Sequence, residues 1–108
     1  FWFEGCPSCV REIPDLNDLV DIFGNKDIYY LAIGRDSRDD VLSFLNDHPW
    51  KFDQISDGSD LLDGRFENIW GYPTTLVVNE SGVIEYSFGC INEGNKQEII
   101  EKIKSLLN

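Results

Sequence analysis

Apolar residues recur at three- and four-residue spacing near the start of the chain. Val10, Ile13, Leu16, Leu19, Val20 and Phe23 share one side of a helix, and the pattern predicts a helix over residues 6–23. Pro14 lies inside it and should kink it by removing one backbone hydrogen bond, and Gly24-Asn25 is its stop. Ahead of the helix, Phe1-Trp2-Phe3 reads as the end of a strand. Residues 28–33 form a continuous apolar run containing two Tyr, the pattern of a buried strand. Residues 37–40 look like an N-terminal cap before Val41, Phe44 and Leu45, a second helix that Pro49 ends.

Residues 52–55 predict a short strand, and Ser59 or Asp60 is read as the cap of a helix carrying Leu61, Leu62, Phe66 and Ile69. Residues 74–78 are β-rich, and Asn79-Glu80-Ser81-Gly82 is a turn. Residues 83–88 return as a strand in which Ile84, Tyr86 and Phe88 alternate with Glu85 and Ser87. Asn95 with Glu98 resembles a capping pair. It opens a last helix with Ile99, Ile100, Ile103, Leu106 and Leu107 on its apolar side. The order is strand, helix, strand, helices, hairpin, helix, which calls for an α/β domain with a sheet covered by helices. The 108 residues suit one domain over 1–108, and no linker or repeat divides them. The apolar aromatic start looks like the middle of a strand, so the chain is expected to be a piece of a longer one.

Charge narrows the partners. Twenty acidic residues against nine basic give a net charge of −11, which repels phosphate backbones and argues against nucleic acid. The acidic residues are spread along the chain, as on a solvated surface. No run reaches the ~18 apolar residues of a membrane span.

The chemistry lies in the cysteines. There are three, and two stand close together in Cys6-Pro7-Ser8-Cys9. A C-x-x-C is ambiguous between a redox pair and half of a zinc site. Zinc usually takes four ligands, and the chain offers only Cys90 and His48 as further soft donors, far away in sequence, so the redox reading is favoured. Cys6 follows a strand end and opens a helix, where free backbone N–H groups stabilise a thiolate; it should attack. Pro7 falls in the first turn, where it costs no hydrogen bond. Cys9 is one turn deeper, close enough to resolve a mixed disulfide.

The segment Phe1-Trp2-Phe3-Glu4-Gly5-Cys6-Pro7-Ser8-Cys9-Val10-Arg11-Glu12-Ile13-Pro14 resembles the active-site segment of thioredoxin-like proteins of the TlpA, ResA and CcmG group. Gly71-Tyr72-Pro73-Thr74-Thr75 is similar to their cis-proline loop, and the hairpin over 79–88 and the strand end over 31–36 fit as well. The resemblance implies a thioredoxin fold: a central mixed β-sheet flanked by helices, with the family's N-terminal strands missing from this chain. It implies a cis bond before Pro73, a Pro73 that faces the two cysteines, and a Tyr72 main chain free to pair with an incoming peptide as a short added strand. It also implies thiol-disulfide exchange with protein dithiols and disulfides, an upstream reductant, an extracytoplasmic setting, a monomer, and no cofactor beyond the redox-active disulfide.

Two departures stand out. Family members carry Trp immediately before the first Cys, whereas this chain has Gly5, which should leave the thiol more open. Glu4 adds a negative charge that disfavours a thiolate. Ser8 either hydrogen-bonds the thiolate or faces solvent. Trp70 is either a partner contact beside the groove or a core residue. Cys90 is read as a buried, inert thiol and His48 as a structural residue at a helix end. Glu12 lies three residues after Cys9, on the otherwise apolar stripe Cys9, Glu12, Leu16, Leu19, Phe23. Burial there should raise its pKa and let it accept the Cys9 proton, the alternative being a solvated helix Glu paired with a base elsewhere; ResA-like proteins resemble this chain in having Glu at the matching position. The alternatives are a thiol peroxidase and a metal-carrying domain. Peroxiredoxin-like chains carry Thr or Ser where Phe3 stands, and copper-delivery relatives of the fold use C-x-x-x-C, so both fit less well.

Overall fold

Main-chain hydrogen bonds from the first two residues join what would otherwise be two separate β-ribbons. The computed structural model of the chain describes residues 1–24, 27–64 and 71–107. In one ribbon, β1 (Leu31–Ile33) pairs in parallel with β2 (Asp53–Ile55). In the other, β3 (Thr75–Val78) pairs antiparallel with β4 (Ile84–Phe88), with an irregularity between Val77 and Val78. Trp2 donates to the Ile33 carbonyl at 3.1 Å and accepts from the Arg35 N–H at 3.3 Å, a parallel bridge centred on Gly34. Phe1 pairs with Thr74 on its other side, at 2.8 and 3.4 Å. The result is the mixed sheet that the family resemblance implies.

The predicted long helix is two helices, α1 (Pro7–Arg11) and α2 (Ile13–Phe23), broken at Glu12. Pro14 explains the break. It has no N–H to give the Val10 carbonyl, and its ring crowds that carbonyl, so the ladder fails ahead of the proline and not at it. The Glu12 N–H keeps its bond to the Ser8 carbonyl and also points at the Val10 carbonyl that Pro14 leaves without a donor. α2 ends at Gly24, whose positive φ of 58° suits glycine.

Three further expectations are corrected. The run over 28–33 is strand only from Leu31, and Tyr29 is 92% exposed; the parallel partner β2 reaches only as far as Leu31. Ser59 does not cap its helix but lies within it, since α4 is Ser59–Gly64; the rest of that predicted helix falls on residues outside those described. Asn95 precedes α5 (Lys96–Leu106) but makes no side-chain cap. Its amide instead accepts from the Asn92 N–H at 2.8 Å and donates to the Cys90 carbonyl at 3.0 Å, closing the loop before the helix. The cap of α3 (Arg38–Asp47) does form, with Ser37 Oγ accepting from the Asp40 N–H at 3.2 Å.

Two buried clusters lie against the sheet. Leu16, Leu19 and Phe23 of α2 meet Ile91 and the α5 residues Ile99 and Ile100. Trp2, Cys6, Cys9, Ala32 and Val41 form the second, and Trp50 and Phe52 touch both. Lys96 ties α5 to α2 through Asp15 at 3.1 Å and Asp18 at 2.5 Å. Among the described residues no helix is long and apolar enough to cross a membrane.

The Trp2 ring is fully buried, with the rings of Phe44 and Trp50 each 5.0 Å away. A Cβ at Gly34 would lie 2.9 Å from its indole nitrogen. Gly34→Ala should therefore destabilise the fold by about 2 kcal/mol, as overpacking in a closed core does. Urea unfolding of the two proteins measures this; equal midpoints would show that the Trp2 pocket yields freely.

Candidate active site

The strand-to-helix turn after Trp2 presents the two cysteines. The Cys6 N–H donates to the Phe3 carbonyl at 3.1 Å, and Cys6 takes an extended conformation as the N-cap of α1, with Pro7 in the first turn. Cys6 and Cys9 are joined as a disulfide, with Cα atoms 5.3 Å apart. The Cys9 N–H donates to Cys6 Sγ at 3.2 Å. Cys9 is 0% exposed and Cys6 6%, so any approach from solvent meets Cys6 first.

The open thiol expected from Gly5 is not found. Gly5 is exposed, but the Phe3 ring lies 3.5 Å from where its Cβ would be and covers the same ground. Ser8 does not turn to the sulfurs; its Oγ accepts from Arg11 Nη2 at 3.0 Å. His48 ends α3 and stacks on Phe44 at 4.2 Å, a structural role.

Glu12 is the buried charge-bearing residue that the stripe predicts. It is 3% exposed, between Cys9 and Leu16 on a run that stays buried through Phe23. Burial raises its carboxyl pKa to about 7; the Ile91 N–H, donating to Oε2 at 3.1 Å, pulls it down, and Asp15 pushes it up.

The Tyr72–Pro73 peptide is cis. Pro73 is buried, and Tyr72 packs on the cluster that holds both cysteines, its ring edge-on to Phe3 at 5.3 Å. Thr74, paired with Phe1, fixes the far side of this loop. Trp70 lies outside the described residues. Cys90 is half-buried, more exposed than expected. Its thiol faces the Ser8 carbonyl at 3.8 Å, and burial, then the Glu12 carboxylate, raise its pKa. Among the described residues no group of three or more His, Cys, Asp or Glu side chains is arranged to hold a metal ion.

Arg35 and Asp63 escaped the sequence reading. Arg35 Nη1 donates to the Tyr72 hydroxyl at 3.0 Å, and the guanidinium also pairs with both Asp63 oxygens. No periodicity marks such contacts, and only the position of Arg35 just past a strand end could have drawn attention to it.

A cysteine pair at the head of a helix, with a cis-proline loop beside it, agrees with the match of residues 1–87 to the AhpC/TSA family model. The chain belongs to the AhpC/TSA family. Within this broad family it is similar to the thiol-disulfide oxidoreductase ResA of Bacillus anthracis, at 26% identity over 98% of this chain and 60% of that protein. It is also similar to the "Putative peroxiredoxin bcp" of Buchnera aphidicola, at 24% identity over 76% of this chain and 59% of that protein. The chain thus spans about three-fifths of the length of these curated relatives. A Chlorobium tepidum structure described as a "putative Thiol:disulfide interchange protein DsbE" superposes with a TM-score of 0.87 at 20% identity, covering 100% of this chain and 77% of that one. That likeness establishes the thioredoxin-like fold.

The raised Glu12 pKa has a sign that can be checked. Its folded value of about 7 exceeds the ordinary 4.5, so the stability it allows is fully present below pH 4.5 and is lost as pH rises to 7. In the oxidised protein, where Cys6 and Cys9 are silent, wild type should lose about 3 kcal/mol across that window relative to Glu12→Gln. Urea titrations at several pH values measure the difference, and parallel profiles for the two proteins would show that the carboxyl titrates normally.

Proposed function

We propose that the chain exchanges disulfides with protein substrates, with Cys6 attacking and Cys9 resolving, as an extracytoplasmic reductant recharged by an upstream dithiol. The observation that carries this reading is the Cys6–Cys9 disulfide at the head of α1, with Cys6 6% exposed and Cys9 fully buried.

In the reduced chain, the Cys6 thiolate attacks one sulfur of a partner disulfide. That S–S bond breaks, a mixed disulfide forms, and the departing partner sulfur takes up a proton. Cys9 then passes its proton to Glu12 and attacks Cys6 Sγ; the second partner sulfur leaves as a thiolate. Two electrons have moved to the partner, and the Cys6–Cys9 disulfide is restored. A carboxyl with a pKa of about 7 is suited to take that proton near neutral pH. The Tyr72 main chain makes no backbone hydrogen bond among the described residues, which supports a role in pairing with an extended peptide. The extracytoplasmic setting and the reducing direction rest on the resemblance to ResA-like proteins.

A peroxidase is the second reading, favoured by the similarity to a peroxiredoxin. Phe3 stands three residues before Cys6, where a hydroxyl side chain would be expected for that chemistry. Hydrogen peroxide consumption by the reduced chain separates the two readings.

Limited alkylation of the reduced protein at neutral pH should label Cys6 about tenfold faster than Cys9 or more, as read by peptide mapping. Equal labelling would overturn the order of attack. Cys9→Ser should accumulate mixed disulfides with partners, and Cys6→Ser none. Cys90→Ala should keep exchange rates within about twofold of wild type, since its raised pKa leaves little thiolate. A large loss of exchange with the fold intact would bring the third cysteine into the cycle.

A further inference from the structure

Arg35 takes no part in the exchange steps, yet it contacts Trp2, Asp63 and Tyr72. Its N–H closes the Trp2 bridge at 3.3 Å. Its guanidinium meets both oxygens of Asp63, at 3.2 and 3.3 Å, fork against fork, which fixes its plane. The Nη1 that reaches Asp63 also donates to the Tyr72 hydroxyl at 3.0 Å. Tyr72 leans edge-on against Phe3, and the Phe3 carbonyl accepts from the Cys6 N–H.

An exposed Arg–Asp pair by itself contributes little to stability. The third contact changes its meaning. Tyr has only two side-chain torsions, so a phenol held at its tip and on its ring leaves its own Cα little freedom. Thr74, paired with Phe1, restrains the loop on the other side of Pro73. Arg35 is thus the remaining tether on Tyr72, which packs on the cluster that holds both cysteines and makes no backbone hydrogen bond among the described residues.

We propose that Arg35 is a positioning residue for peptide docking. By holding the Tyr72 hydroxyl it sets where the Tyr72 main chain stands relative to Cys6, and Asp63 holds Arg35 in that orientation. This deepens the exchange reading above and rests on it. A Lys cannot reproduce the clamp, because a single ammonium does not match the carboxylate fork and the phenol in one plane.

The test uses two probes with the reduced chain. One is a synthetic peptide whose single disulfide is flanked by extended residues. The other is 2-hydroxyethyl disulfide, too small to pair with the Tyr72 main chain. Arg35→Met should raise the peptide KM about tenfold with kcat within about twofold, while its rate with the small disulfide follows wild type. Tyr72→Phe, which removes one oxygen, should raise the peptide KM similarly, and the double variant should be no worse than either single one. Arg35→Lys should recover only part of the loss. An unchanged peptide KM in both single variants, or equal losses with both probes, overturns the proposal. Should Arg35→Met fail to fold on thermal unfolding, Tyr72→Phe decides alone. A wild-type chain inactive with both probes overturns the exchange reading itself, and the positioning role with it; a wild type that works while the variants match it overturns the positioning role only.

Discussion

The pairing of residues 1 and 2 with both ribbons is the constraint on which the rest of this structure depends. Trp2 bonds to the β1 side and Phe1 to Thr74, so one short stretch of main chain carries the continuity of the sheet. The same stretch leads directly into Cys6. Its side chains act in both directions: the Trp2 ring fills the space between Gly34, Phe44 and Trp50, and the Phe3 ring meets Tyr72. The cysteine pair and the cis-proline loop are therefore held in common by a backbone segment, and their relative placement does not depend on flexible side chains alone.

Much of this was legible in the sequence because it depends on local rules. The 3.6-residue spacing of Leu16, Leu19 and Phe23, the Asn79–Gly82 turn and the Ser37 cap each act over a few residues, and each appears in the fold. The interruption that Pro14 was expected to cause falls at Glu12, because a proline disturbs the ladder on its N-terminal side. Tyr29 was misread because a run of apolar residues says nothing of how far its partner strand extends. Asn95 kept its place at the start of α5, but its side chain had a better use in the preceding loop.

The candidate site divides along the same line. Cys6, Cys9 and Glu12 share one short segment, so spacing alone put them together, and the buried stripe even forecast the raised Glu12 pKa. The partners that tune them come from far away in the chain. The N–H that meets Glu12 belongs to Ile91, 79 residues on, and the Tyr72 hydroxyl is met by Arg35 from 37 residues before it. Such contacts follow from the way the sheet closes, which no local pattern encodes.

The hydrogen bond from the Cys9 N–H to Cys6 Sγ, already formed in the disulfide, bears on how easily the sulfur can change its charge. When the S–S bond opens and Cys6 becomes a thiolate, the donor that negative sulfur needs is in line beforehand, set by the first turn of α1. Little of the surroundings has to reorient as charge appears or disappears, so the polar environment is built for the ionic state while the sulfur is still neutral. Reorganisation, which in water would fall on mobile solvent dipoles, has here been settled during folding.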